Sequence, residues 1–227
     1  MHVCNPACVS YGTAHLTEPV VRGRRVIEVG SRNVNGSLRR HVEQFGPASY
    51  LGVDIESGPG VDEVCDAEDL VTRYGSGGFD LVICTEVLEH VRNWRTVIRN
   101  LKDLLADDGV LLVTTRSYGF PYHAFPYDFW RYETDDMRGI FSDFAIEDIA
   151  TDPVAPGVFL TARRPTGMQP TDLETVELYS MITRQRCRDL SDTAVRRFFA
   201  KRRALQIAGK LLPANLKSRV KARIPST

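Results

Sequence analysis

Apolar positions in this chain fall into short continuous runs rather than a strict alternation. Val26, Ile27 and Val29 form the first run, and Gly30 stops it. Such runs read as strands buried on both faces. Glu28 interrupts the run, and a carboxylate there is costly unless something pairs with it. Residues 37–45 follow with a helical pattern that ends at Gly46-Pro47. Further strands are predicted over 50–55, 61–65 and from Phe79 onward, the last running into a helix that carries Glu89 and His90. Residues 94–105 read as an amphipathic helix closed by Asp107-Asp108-Gly109, and 110–114 as strand five. Thr134 reads as the N-cap of a helix over 135–141. Residues 144–149 and 158–162 then predict two closing strands. Strands alternating with helices predict an α/β domain.

The loops between these elements carry the candidate chemistry. Strand, turn and helix around Gly30 form the geometry that presents backbone N–H groups to a nucleotide-like ligand. Asp54 ends the second strand 24 residues past Gly30, near the spacing of about 20 at which an acid grips ribose hydroxyls. Thr85 and Glu86 end the fourth strand at the carboxyl edge, where open sheets place ligands. His90, close to Glu86 and Arg92, reads as structural. Residues 117–132 are dense in aromatics, with two prolines and no period. A long irregular loop at that edge is usually functional.

Four stretches in order, VIEVG, YLGVDI, CDAEDL and FDLVICTEVLEHV, give the chain a resemblance to the class I S-adenosylmethionine-dependent methyltransferases. The small-molecule branch called type 11 is the most similar. The resemblance covers about residues 25–165. It implies a doubly wound, mostly parallel seven-stranded sheet with an antiparallel last strand, the Rossmann-like methyltransferase fold. It also implies that S-adenosyl-L-methionine is held by Glu28, Gly30, Ser31, Asn35, Asp54, Ile55, Asp66, Ala67, Thr85 and Glu86. Asp66 would meet the adenine amino group; the other reading is that it caps the helix near Leu70. The family's acceptor region corresponds to the aromatic loop. Tyr122, Tyr127 and Trp130 would wall the pocket, Arg116 or Arg131 would orient an anionic acceptor, and His123 would serve as general base. The expected acceptor is a small molecule, glycan or natural product, methylated on a hydroxyl. The chain departs from the family in its first loop, where Arg32 and Val34 stand in place of the second and third glycines.

Composition adds bounds. With 227 residues, 43% hydrophobic and 26% charged, the chain suits one globular domain with additions. No apolar run approaches the ~20 residues that span a bilayer, and no secretory signal is visible, so a cytoplasmic location is the default. The five cysteines are scattered and read as free thiols. No metal-ligand cluster is evident, which predicts metal independence. Residues 1–170 hold 16 Lys and Arg against 24 Asp and Glu, whereas 171–227 hold 13 against 5. A breaker-rich linker at 163–170 divides a methyltransferase domain at 1–165 from a basic helical extension at 171–227. Such an extension suits an anionic membrane surface, RNA or a second subunit, and would place the protein at the membrane periphery in the first case. A solvated helical cap is the plainer reading. An RNA methyltransferase and a non-catalytic cofactor-binding scaffold stay open as alternatives.

Overall fold

The buried apolar runs pair side by side into one sheet. The computed structural model describes residues 6–34, 36–124 and 126–211. Its strands in chain order are β1 (Arg25–Val29), β2 (Ser49–Asp54), β3 (Glu63–Val64), β4 (Phe79–Thr85), β5 (Leu105–Arg116), β6 (Trp130–Arg131), β7 (Ala145–Thr151), β8 (Gly157–Arg163), β9 (Leu178–Ser180) and β10 (Arg186–Cys187). The main sheet has the order β3-β2-β1-β4-β5-β8-β7. Its pairings are parallel through β5, and β8 runs antiparallel to both β5 and β7. The expected sheet and its antiparallel last strand are both present.

Both faces of the sheet are covered, which is why the strands read as apolar runs without alternation. Ile27, Val29, Val82, Cys84, Leu111 and Val113 face one core. That core is closed by α4 (Leu70–Tyr74), α5 (Trp94–Leu104) and α6 (Thr134–Ile140). Val26, Leu81, Ile83, Val110 and Leu112 face the other, covered by α1 (Pro6–His15), α2 (Glu18–Val21) and α3 (Arg39–Glu43).

Three local readings change. β5 starts at Leu105, because Asp108 takes a left-handed turn (φ 60) while its N–H stays bonded to the Arg164 carbonyl. Glu133, not Thr134, caps α6, through a reciprocal capping box with Asp136. Glu89 and His90 stand on a single 3₁₀ turn, Leu88–His90, not on a longer helix.

The tail also differs from the helix expected from residue 172. Its first part forms β9 and β10, which pair with β6 as a second small sheet. Leu173, Leu178, Ile182 and Leu190 join the main core. Arg95, buried on α5, fixes this segment by donating to the carbonyls of Leu173, Val176 and Arg188 and to Asp189. Helix α7 (Asp192–Leu211) then follows.

Candidate active site

The carboxyl ends of β1 to β4 lie together, and strand order reverses between β1 and β4. Open α/β sheets bind ligands at such a switch point. A cavity of about 470 Å³ opens there, within the range of about 300–1,000 Å³ usual for small-molecule sites. Val29, Gly30, Asp54, Ile55, Asp66, Ala67, Glu68, Glu86 and Val87 line it from the strand ends. His90, Arg92, Tyr127, Phe129, Val195 and Phe199 line it from the aromatic loop, the 3₁₀ turn and α7.

Each strand-end residue has a local reason for its place. Gly30 has φ +80, and a Cβ there would collide with Val87 Cγ2, so no side chain fits where the backbone meets the cavity. The Asp54 carboxylate accepts from Arg32 N at 3.2 Å and Glu56 N at 3.0 Å, which orients it at the lip. Arg32 also pairs with Glu56. The residue that departs from the glycine pattern thus ties the first loop to the second and lines the cavity. Asp66 accepts from Glu68 N at 2.9 Å, capping the Ala67–Asp69 turn while still lining the cavity. Asn100 donates to the carbonyls of Ala67 and Glu68 and pins the same turn. Glu86 holds a left-handed backbone (φ 58), a strained state that persists where the surroundings over-determine it. Thr114 donates to its Oε1 at 3.0 Å, and the buried Arg116 pairs with its Oε2.

Three other expected cofactor residues do not reach the cavity surface. Glu28 faces the α3 side, where the Tyr50 hydroxyl donates to it at 2.6 Å. Burial pushes its carboxyl up to about 7, opposed by that hydrogen bond and by Arg39. Ser31 is buried with its N–H on the Val53 carbonyl, and Thr85 is buried within β4. Asn35 lies outside the described residues.

The aromatic loop is arranged differently from the expectation. Tyr127 lines the cavity, its ring tilted against Phe129 and edge-on to Phe199. Tyr122 instead packs under α7, with Phe198 beside its ring and the Arg202 guanidinium 4.1 Å from its centroid. Trp130 is in the core, its indole N–H on the Arg92 carbonyl. Neither arginine is placed to orient an anionic acceptor. The Arg131 donors are taken up by Asp128 and the carbonyls of Phe120, Pro121 and Trp130. Arg116 is locked between Glu86 and Asp152. His123 is also withdrawn from the cavity lining, and Asp128 and Glu89 lie 3.1 and 3.5 Å from its two ring nitrogens. Burial lowers its pKa, but those two carboxylates outweigh burial and raise it to about 9. A ring already protonated at neutral pH cannot take a hydroxyl proton, so the assignment of His123 as a free base is corrected.

Three residues that the sequence did not group together meet beside the cavity. Glu89, His90 and His123 bring one ligand atom each to within 4.8 Å of one another. The sequence hid this because the third member lies in a different loop. His90, Arg32, Phe129, Val195 and Phe199 were also missed as lining residues. A Glu-His pair at a strand end was the available signal for His90; nothing local marks Val195 or Phe199, which reach the site by tertiary packing.

The family model described as "Methyltransferase domain" matches residues 13–151. The chain belongs to the methyltransferase-domain family. The match takes in the Gly30, Asp54, Asp66 and Glu86 strand ends and the whole aromatic loop. A ubiquinone biosynthesis O-methyltransferase of Xanthomonas axonopodis pv. citri is 34% identical over 129 residues, covering 51% of each chain. This methyltransferase-domain chain thus spans about half the length of the curated relatives it matches. Among solved structures, the 1,6-didemethyltoxoflavin-N1-methyltransferase of Burkholderia thailandensis superposes with a TM-score of 0.55 at 16% identity, over 70% of this chain and 79% of that one. The magnesium protoporphyrin IX methyltransferase of Synechocystis gives 0.51 at 22% identity, over 69% and 77%. These likenesses show the Rossmann-like methyltransferase fold.

Proposed function

We propose that this chain transfers the methyl group of S-adenosyl-L-methionine to a hydroxyl oxygen of a small, flat, aromatic acceptor. The observation that carries the reading is the cavity itself, with Gly30, Asp54 and Asp66 on its strand-end side and Tyr127, Phe129 and Phe199 facing them. On the first side, Asp54 accepts the two ribose hydroxyls, Gly30 admits the amino-acid end against bare backbone, and Asp66 with Ala67 meets the adenine. On the second side, aromatic rings suit a planar acceptor better than a glycan. The curated relatives named as O-methyltransferases and the structure with S-adenosylhomocysteine bound support the same reading.

The sulfonium already activates the methyl group, so the protein's task is alignment and exclusion of water. The acceptor oxygen forms the new C–O bond as the C–S bond breaks. The C–S electron pair stays on sulfur as the neutral thioether leaves, and the hydroxyl proton passes to bulk solvent. Asp54→Ala should weaken S-adenosylmethionine binding at least about tenfold, or about 1.4 kcal/mol. Isothermal calorimetry showing unchanged affinity would reject the assignment. An acceptor panel scored by release of S-adenosylhomocysteine then tests the acceptor class.

The outward face of α7 supports a second reading, contact with an anionic membrane surface. Arg196, Arg197, Lys201 and Arg203 are exposed there, and Ile207 is half exposed among them. A basic face with exposed apolar residues suits an interfacial helix. No helix among the described residues is long and apolar enough to cross a membrane.

A further inference from the structure

Three buried polar atoms meet behind the cavity wall. Glu89 Oε1, His90 Nε2 and His123 Nε2 each lack a hydrogen-bond partner. Glu89 Oε1 is 3.8 Å from His90 Nε2 and 3.5 Å from His123 Nε2. Buried polar atoms are nearly always satisfied, so three orphans facing one point require an explanation.

Their other ends fix which way they face. Thr115 Oγ1 donates to Glu89 Oε2 at 2.9 Å. The Tyr127 carbonyl lies 2.5 Å from His90 Nδ1. Asp128 Oδ2 lies 3.1 Å from His123 Nδ1. A carbonyl and a carboxylate accept and do not donate, so each ring carries a proton on Nδ1. A cation entering here displaces the proton that His123 otherwise holds toward Glu89, and each ring then turns its Nε2 lone pair inward. A proton between His123 and Glu89 satisfies two of the three atoms and leaves His90 unmatched. A divalent cation satisfies all three together.

The geometry points to a divalent-cation site formed by Glu89, His90 and His123. Two imidazoles and one carboxylate favour Zn²⁺ and its first-row neighbours over Mg²⁺ and Ca²⁺, which take oxygen ligands. Bond lengths of about 2.0–2.2 Å require the three atoms to draw slightly closer. The supporting contacts match the usual arrangement, in which a ligating histidine gives its other N–H to a carboxylate or a backbone carbonyl. His90 also lines the cavity. The remaining coordination position therefore opens toward the acceptor, whose hydroxyl oxygen would fill it. That last placement rests on the proposed O-methyl transfer; the cation site does not.

The test uses the full chain, stripped with a chelator and titrated with Zn²⁺ by calorimetry and with Co²⁺ by visible absorption. One equivalent of each ion should bind. Glu89→Gln and His123→Asn should each weaken binding at least about tenfold, and His15→Asn on α1 should leave it unchanged. Circular dichroism melts and S-adenosylhomocysteine binding show which variants are folded; if His123→Asn does not fold, His90→Gln takes its place. Folded wild-type chain that takes up no ion, or a folded ligand variant that binds as the wild type does, overturns the site. Stoichiometric Zn²⁺ on a chain that transfers no methyl group supports the site and counts against the transferase reading. Methyl transfer by a chain that binds no ion does the reverse.

Discussion

Glu28 shows how one residue can be legible in the sequence and still be misassigned. Its position inside an apolar run marks it as a buried carboxylate, and the run correctly implies a partner. The partner is Tyr50 on β2, not the cofactor, because β1 turns this side chain toward α3 rather than the cavity. The consequence is a pH dependence. Its carboxyl titrates near 7 in the fold, raised by burial from an ordinary value of 4.5. The folded state therefore holds this proton more tightly than the unfolded chain. Its contribution to stability is fully present below about pH 4.5 and is lost as the pH rises through about 7. Glu28→Gln keeps an acceptor for Tyr50 and removes the titration. The variant should gain on the order of 2 kcal/mol over wild type at pH 8 relative to pH 5. Urea unfolding at the two pH values measures this, and an equal difference at both would refute it.

At the scale of elements, strands and the strand-end residues were legible because burial on both faces leaves an unbroken apolar signature. Asp54, Asp66 and Glu86 follow from the rule that sheets present ligands at their carboxyl edge. What was not legible depends on tertiary packing. β9 and β10 are three- and two-residue strands, too short to set a period. Arg95 holds them through carbonyls that any sequence supplies. His123, Arg116 and Arg131 carry the right residue types for a site, yet each is matched by a buried carboxylate the loop sequence does not announce. These elements also decide where the chain can be cut. Ending it at residue 170 removes Leu173, Leu178, Ile182 and Leu190 from the core. At about 1.5–3 kcal/mol for each such side chain, that loss rivals a typical net stability of about 5–15 kcal/mol. This truncation should give no cooperative melt. Ending at residue 191 should keep a cooperative melt and speed release of S-adenosylhomocysteine, because Val195 and Phe199 leave the cavity wall. A chain that melts cooperatively when ended at 170 would show the tail to be a separate unit.

For the molecule as a whole, the two cores on opposite sides of the sheet leave the ligand edge as the place where distant parts of the chain meet. Arg92 shows this most directly. It lines the cavity, pairs with Asp192 at the start of α7 and donates to the Leu190 carbonyl. Its own carbonyl receives the Trp130 indole N–H at 3.1 Å. The chain has two tryptophans, each about 1% exposed. Trp94 lies beneath the Arg95 guanidinium, 4.6 Å from its ring, in the core that the tail completes, and Trp130 is one backbone group away from the cavity. The folded chain should therefore fluoresce at short wavelength and shift red on unfolding. Trp94→Phe leaves a single emitter whose light should change as cofactor fills the cavity, so Trp130 gives the protein a built-in optical gauge of occupancy that needs no label.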